Sequence, residues 1–209
     1  MAQRSTMLTV LFLATLGTLV VSGIGPYDRL TWWMEIMPVL IALPILYFTR
    51  RIFPLTPLLY GLLFFHGLVL MLGGHYTYAR VPLGFWLQDW FDFARNHYDR
   101  IGHLTQGFVP AILAREILLR LSPLAVSKNS RGGWLFFLVS CVVLAVSATY
   151  EFVEWWASLL YGAEADSFLA TQGDIWDTQW DMLLALIGCL VSQLLLSGWH
   201  NRQLNQLRC

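Results

Sequence analysis

Residues 134–156 read WLFFLVSCVVLAVSATYEFVEWW, and their reading decides the fold. From Trp134 to Ala148 the run carries no charge, and Glu151 and Glu154 then follow. Three residues apart on a helix, the two carboxylates sit roughly 60° from one another, on one face. An ionisable group at the rim of a membrane helix is costly, so it faces protein, water or a partner ion. The stretch predicts a membrane helix that brings a polar site with it.

Composition agrees. The chain has 209 residues, 57% hydrophobic and 12% charged, with a mean hydropathy of +0.58. Soluble domains carry about 25% charged residues. Continuous apolar runs argue against a β-barrel, which would alternate. With zero net charge nothing points to a nucleic-acid partner, and the lipid bilayer is the expected one. Cys141, Cys189 and Cys209 form no CxxC pattern, so no disulfide framework or thiolate metal site is expected.

Working outward, the hydropathy predicts an all-α, polytopic bundle in one domain, residues 1–209. Six spans are expected: Met7–Gly25, Thr31–Phe48, Leu55–Leu72, Ile101–Leu121, Trp134–Tyr161 and Gln179–Gly198. The fourth is the least apolar, and a short polar tail follows the sixth. Between spans three and four, residues 84–96 place Trp86, Leu87, Trp90, Phe91, Phe93 and Ala94 in one helical arc. Gln88, Asp89, Asp92, Arg95 and Asn96 fall opposite, and Phe85 alone breaks the pattern. This predicts a helix lying in the membrane interface.

Six spans put both termini on one side. With that side cytoplasmic, nine of the 13 basic residues fall inside, and of the 13 acidic residues only Glu116 does. The positive-inside rule therefore orients the protein in a bacterial inner membrane, with residues 75–100 and 162–178 outside.

Three helices then carry a polar face at a shared outer level. Span four contributes Asp99, His103 and Gln106; span five, Glu151 and Glu154; span six, Asp177 and Asp181, with Asp174 before it. Arg100 is expected as the one nearby fixed cation. Such a cluster shares protons or binds a cation. Asp99, His103, Glu151 and Asp181 are the candidate ligands of a divalent metal. Glu151, Glu154 and His103 are the candidate catalytic groups, and Asp99, Gln106, Asp174, Asp177 and Asp181 the candidate binding groups. The plainer alternative is a set of solvated helix ends, with Asp174 and Asp177 as caps. Residues 172–181, QGDIWDTQWD, suit head-group recognition or an aromatic belt.

The segments Asn96–His103, Tyr150–Trp155 and Gln172–Met182 resemble the YjdF family of bacterial inner-membrane proteins, over essentially the whole chain. The resemblance implies a multi-pass inner-membrane bundle and no particular reaction. A more distant similarity is to the VanZ-like family, associated with glycopeptide-antibiotic tolerance. It rests on Asp99-Arg100-x-x-His103, a Glu late in the next helix (Glu151 or Glu154), and Asp181 with Gly188; Ala185 stands where that pattern has Asn, and its loop arginine has no counterpart.

Three functions fit these residues: an enzyme acting on a lipid-linked or cell-envelope substrate, a small proton-coupled transporter, and a binding or scaffold protein without catalysis. In the transporter, His66 and Glu116 would be the steps inward.

Overall fold

The computed structural model describes residues 2–122 and 132–208. Lys128 and Arg131, used in the orientation count, and Cys209 lie outside the described residues. Every element among the described residues is helical: α1 Ala2–Ser22, α2 Arg29–Thr49, α3 Pro57–Tyr76, α4 Pro82–Phe91, α5 Tyr98–Leu121, α6 Gly133–Tyr161, α7 Asp166–Leu169 and α8 Asp177–Arg208.

Local chemistry sets the helix ends. The Asp28 side chain accepts from the Thr31 N–H and caps α2. Thr56 caps α3, with Pro57 at its first position, where no intrahelical donor is needed. Pro82 likewise opens α4.

α1, α2, α3, α6 and α8 are long and apolar enough to cross a membrane. The expected fourth crossing, α5, does not qualify by composition. It is 24 residues long, about 36 Å at 1.5 Å per residue. Its charged groups are enclosed by protein: Asp99, His103, Arg115 and Glu116 are all buried.

α5 is the central element, packed on α3, α6 and α8. Its tightest partner is α8. A Cβ on Gly107 would collide with the backbone of Ala185, and one on Gly188 with the backbone of Leu104. Without a hydrophobic force between helices in lipid, close backbone approach of small residues supplies the attraction. On the other side α3 packs on α1 and α2, and Trp32, Ile36, Val39, Leu70 and Met71 join in one core cluster.

Three expectations need correction. The interfacial helix is shorter than residues 84–96, because Asp92 is left-handed (φ 54°) and ends it. Its Trp86, Trp90 and Phe91 are exposed, as a membrane-lying face requires, and Phe85 is exposed with them. The polar tail is not separate from the sixth span: α8 continues to Arg208, since Gln203 accepts from the Leu58 N–H (2.8 Å) and His200 is fully buried. The acidic segment after α6 is not all loop but contains a 3-10 turn, Gly162–Ala165, and α7.

Candidate functional site

Of the carboxylates expected to meet at one level, Asp99, Glu151, Glu154 and Asp181 gather around His103, whereas Asp177 pairs with Arg95. Counted at 1.5 Å per residue from the starts of α5 and α8 and the end of α6, His103 lies about 8 Å into α5, Asp181 about 6 Å into α8, and Glu154 about 10 Å into α6. Asp99, His103, Glu151, Glu154 and Asp181 are all buried. His103 is the hub. Its Nε2 lies 3.6 Å from Asp99 Oδ1 and its Nδ1 lies 3.8 Å from Glu151 Oε1. Ligand atoms of Asp99, His103 and Asp181 fall within 4.8 Å of one another, and so do those of His103, Glu151 and Glu154. Several polar atoms here are buried without a hydrogen-bond partner: Asp99 Oδ2, His103 Nδ1, Gln106 Oε1, Glu151 Oε1 and Asp181 Oδ1. Native interiors leave few such atoms, and each calls for an explanation.

Asp174 and Asp177 lie at the edge of this cluster and pair with arginines. Arg95 lies 2.6 Å from Asp177 and 3.4 Å from Asp174, and Arg100 lies 2.9 Å from Asp174. Arg100 is therefore not the one nearby cation. Because α4 stops at Asp92, Arg95 sits in the following loop and turns to the start of α8. Its Nη1 also donates to the Thr171 carbonyl. The Trp176 N–H, with Arg95 and Arg100, holds the Asp174 carboxyl below the usual range. Gln172 donates to the Asn96 carbonyl (2.7 Å) and accepts from the Asn96 N–H (3.2 Å). The motif around Gln172 and Asp174 thus ties the loop before α5 to the loop before α8, beside the cluster.

Glu35 was not among the residues singled out for the site. It is 3% exposed and accepts from the Tyr150 hydroxyl (3.3 Å). The available signal was a lone carboxylate in an otherwise uncharged span two.

A cavity of about 510 Å³ opens on this side of the cluster. Glu35, Asp99, His103, Gln106, Tyr150 and Glu154 line its outer end, whereas Glu151 and Asp181 lie behind the wall. Inward it runs between apolar side chains, Leu11, Phe12, Leu43 and Leu46 among them, as far as Tyr47 and Arg50. From Glu35 to Tyr47 along α2 is about 18 Å. The cavity is lined mainly by α1, α2, α3 and α5, and α2 and α6 both border its polar end. The Tyr150–Glu35 bond joins the two helices at the outer end.

His66 lines the same cavity. The Thr105 hydroxyl gives its hydrogen to the Gly102 carbonyl (2.8 Å), so it accepts from His66 Nδ1–H (3.2 Å). That leaves His66 Nε2 as an acceptor. Toward the other end of α5, Glu116 is saturated. It accepts from the Thr56 N–H and hydroxyl, from Arg120 (2.7 Å) and from His200 (3.0 Å).

The family described as "Predicted membrane protein (DUF2238)" matches residues 7–202. Inner membrane protein YjdF of Escherichia coli (strain K12) is 52% identical over 189 residues, 90% of this chain and 88% of that relative. No solved structure matches the chain. On matches that run almost from end to end, this chain belongs to the DUF2238 family of membrane proteins.

Proposed function

We propose that the protein is a membrane enzyme that acts by hydrolysis or group transfer on a lipid-linked cell-envelope substrate, at the outer face of the inner membrane. The observation that carries this reading is the cavity: an apolar run that ends on buried carboxylates and an imidazole. Its volume is that of a small-molecule site. The side chains that α1, α2 and α3 supply along it are largely apolar, as a lipid tail requires. A hydrocarbon tail would lie against Leu11, Phe12, Leu43 and Leu46, which puts the head group beside Glu35, His103 and Glu154. The excess of basic residues on the opposite side supports an outward-facing site, with both termini cytoplasmic.

Glu35, Asp99 and Glu154 are the carboxyls that line the cavity; Asp99 is turned to His103, which leaves Glu35 and Glu154 to serve as general base. In hydrolysis, the water oxygen would bond to the electrophilic atom of the head group. The water proton would pass to the carboxylate, and from there to the departing oxygen. The proton-coupled transporter has less in its favour, because Glu116, its inner step, already has its lone pairs occupied.

The test is incubation of the detergent-purified protein with a total inner-membrane lipid extract, followed by mass spectrometry of the lipids. The expected result is one lipid class losing or exchanging its head group with wild type and not with Glu154→Gln or Glu35→Gln. Unchanged lipids with wild type would sink the enzymatic reading.

A further inference from the structure

We infer that His103, Glu151 and Glu154 hold a divalent cation in the cavity wall, with Asp99 orienting the imidazole from its other edge. Side chains of all three are at least nine-tenths buried, and their ligand atoms lie within 4.8 Å of one another. Burial and acidity alone would not identify a site. The decisive observation is a pair of orphans that face each other: His103 Nδ1 and Glu151 Oε1 have no hydrogen-bond partner and stand 3.8 Å apart. That gap is too long for a hydrogen bond. Two metal–ligand bonds of about 2.0–2.2 Å, meeting at an open angle, span it.

The opposite ring nitrogen supports the same assignment. Nε2 faces Asp99 Oδ1 at 3.6 Å, beyond a formed hydrogen bond, so in this geometry Asp99 orients the ring by charge. A carboxylate on one ring nitrogen with the metal on the other is the arrangement that fixes tautomer and ring direction at many metal sites. Asp99 is then a positioning residue and not a ligand. A second trio, Asp99, His103 and Asp181, is equally compact, but there the cation would have to sit on the nitrogen that already faces Asp99.

Charge balance points the same way. Among the described residues, no Arg or Lys makes an ion pair with Glu35, Asp99, Glu151, Glu154 or Asp181. Arg95 and Arg100 are taken by Asp174 and Asp177, and Arg120 by Glu116. A group of buried carboxylates needs protons or a cation in their place. One imidazole with two carboxylates suits Zn²⁺ or Mn²⁺ better than Ca²⁺, which prefers more ligands, all oxygen. His103 and Glu154 line the cavity, so the coordination position left open faces it, as in catalytic sites with three protein ligands. With Glu154 on the cation, proton transfer falls to Glu35. That last role rests on the lipid-linked reading; the cation site does not.

The experiment is elemental analysis of protein purified without chelator. It is followed by chelator stripping and titration with Zn²⁺ and with Mn²⁺ while the melting temperature is read. One ion per chain is expected, with a rise in melting temperature on re-addition. Glu151→Gln and His103→Ala should lose the ion. Asp181→Asn should keep it, and Asp99→Asn should bind it roughly 10–100-fold more weakly. Wild type that retains no metal and gains no stability from either ion overturns the proposal, even if every variant misfolds. Loss of the ion in Asp181→Asn but not in Glu151→Gln overturns it as well. Metal content speaks to this site, and head-group turnover to the enzymatic reading, so either can fail alone.

Discussion

Glu116 Oε2 and His200 Nε2 lie 3.0 Å apart, and both side chains are fully buried. Arg115 Nη1 lies 2.9 Å from the other ring nitrogen of His200. An arginine can only donate, so His200 Nδ1 accepts and Nε2–H donates to Glu116. Together with Thr56 and Arg120, this network ties the start of α3 and the inner ends of α5 and α8. Glu116→Ala leaves buried donors without an acceptor. Breaking such a pair from one side costs about 3–5 kcal/mol, so a large fall in melting temperature is expected. His200→Ala should fall less, because Arg120 still satisfies Glu116. The two effects should be non-additive in a double-mutant cycle; simple additivity would argue that the residues act independently.

The Asp174 carboxyl, held down by the Trp176 N–H, Arg95 and Arg100, sets a pH dependence of the outer loops. A depressed folded value means that its contribution is fully present above the ordinary value of 3.8 and is lost as pH falls through the folded one. Carboxyl ¹³C NMR in micelles should place the Asp174 midpoint below 3.8. Arg95→Ala and Arg100→Ala should each move it upward. A midpoint unaffected by either change would detach Asp174 from both arginines.

Helix contact between α5 and α8 depends on absent side chains. Gly107→Val places methyl groups against the Ala185 backbone, which cannot move as a flexible side chain can. A loss at or above the 1–3 kcal/mol typical of overpacking is expected, read as lower melting temperature or failure to purify as a single species. Gly61→Val is the control, since nothing lies within 4 Å of its added Cβ. Equal effects at the two glycines would refute the close approach.

Orientation can be read from one loop residue. Ile175 is 83% exposed, between α7 and α8. In a cysteine-free background, Ile175→Cys should react with a membrane-impermeant maleimide in intact spheroplasts. Labelling only after lysis would invert the topology and move the carboxylate cluster to the cytoplasmic side.

Much of this architecture was legible in the chain itself, because solvent preference is a local property. An uncharged run such as Trp134–Ala148 must be shielded from water whatever lies around it. The spacing of Glu151 and Glu154, or of Asp99 and His103, places each pair on one helix face before any packing is known. The small residues at 107, 185 and 188 are equally visible, though not their partners. What remained hidden depends on contacts between distant segments. Arg95 could be placed on the polar side of a helix, but its pairing with Asp177 followed from a left-handed turn at Asp92 and the loop it releases. Glu35 looked like an isolated charge until α2 and α6 brought it to Tyr150, 115 residues away. The tail beyond Gly198 read as a short polar appendage; it is helical because His200 and Gln203 find buried partners on α5 and at the start of α3. Polar groups in lipid must find partners within the protein, and only the folded chain decides which ones they find.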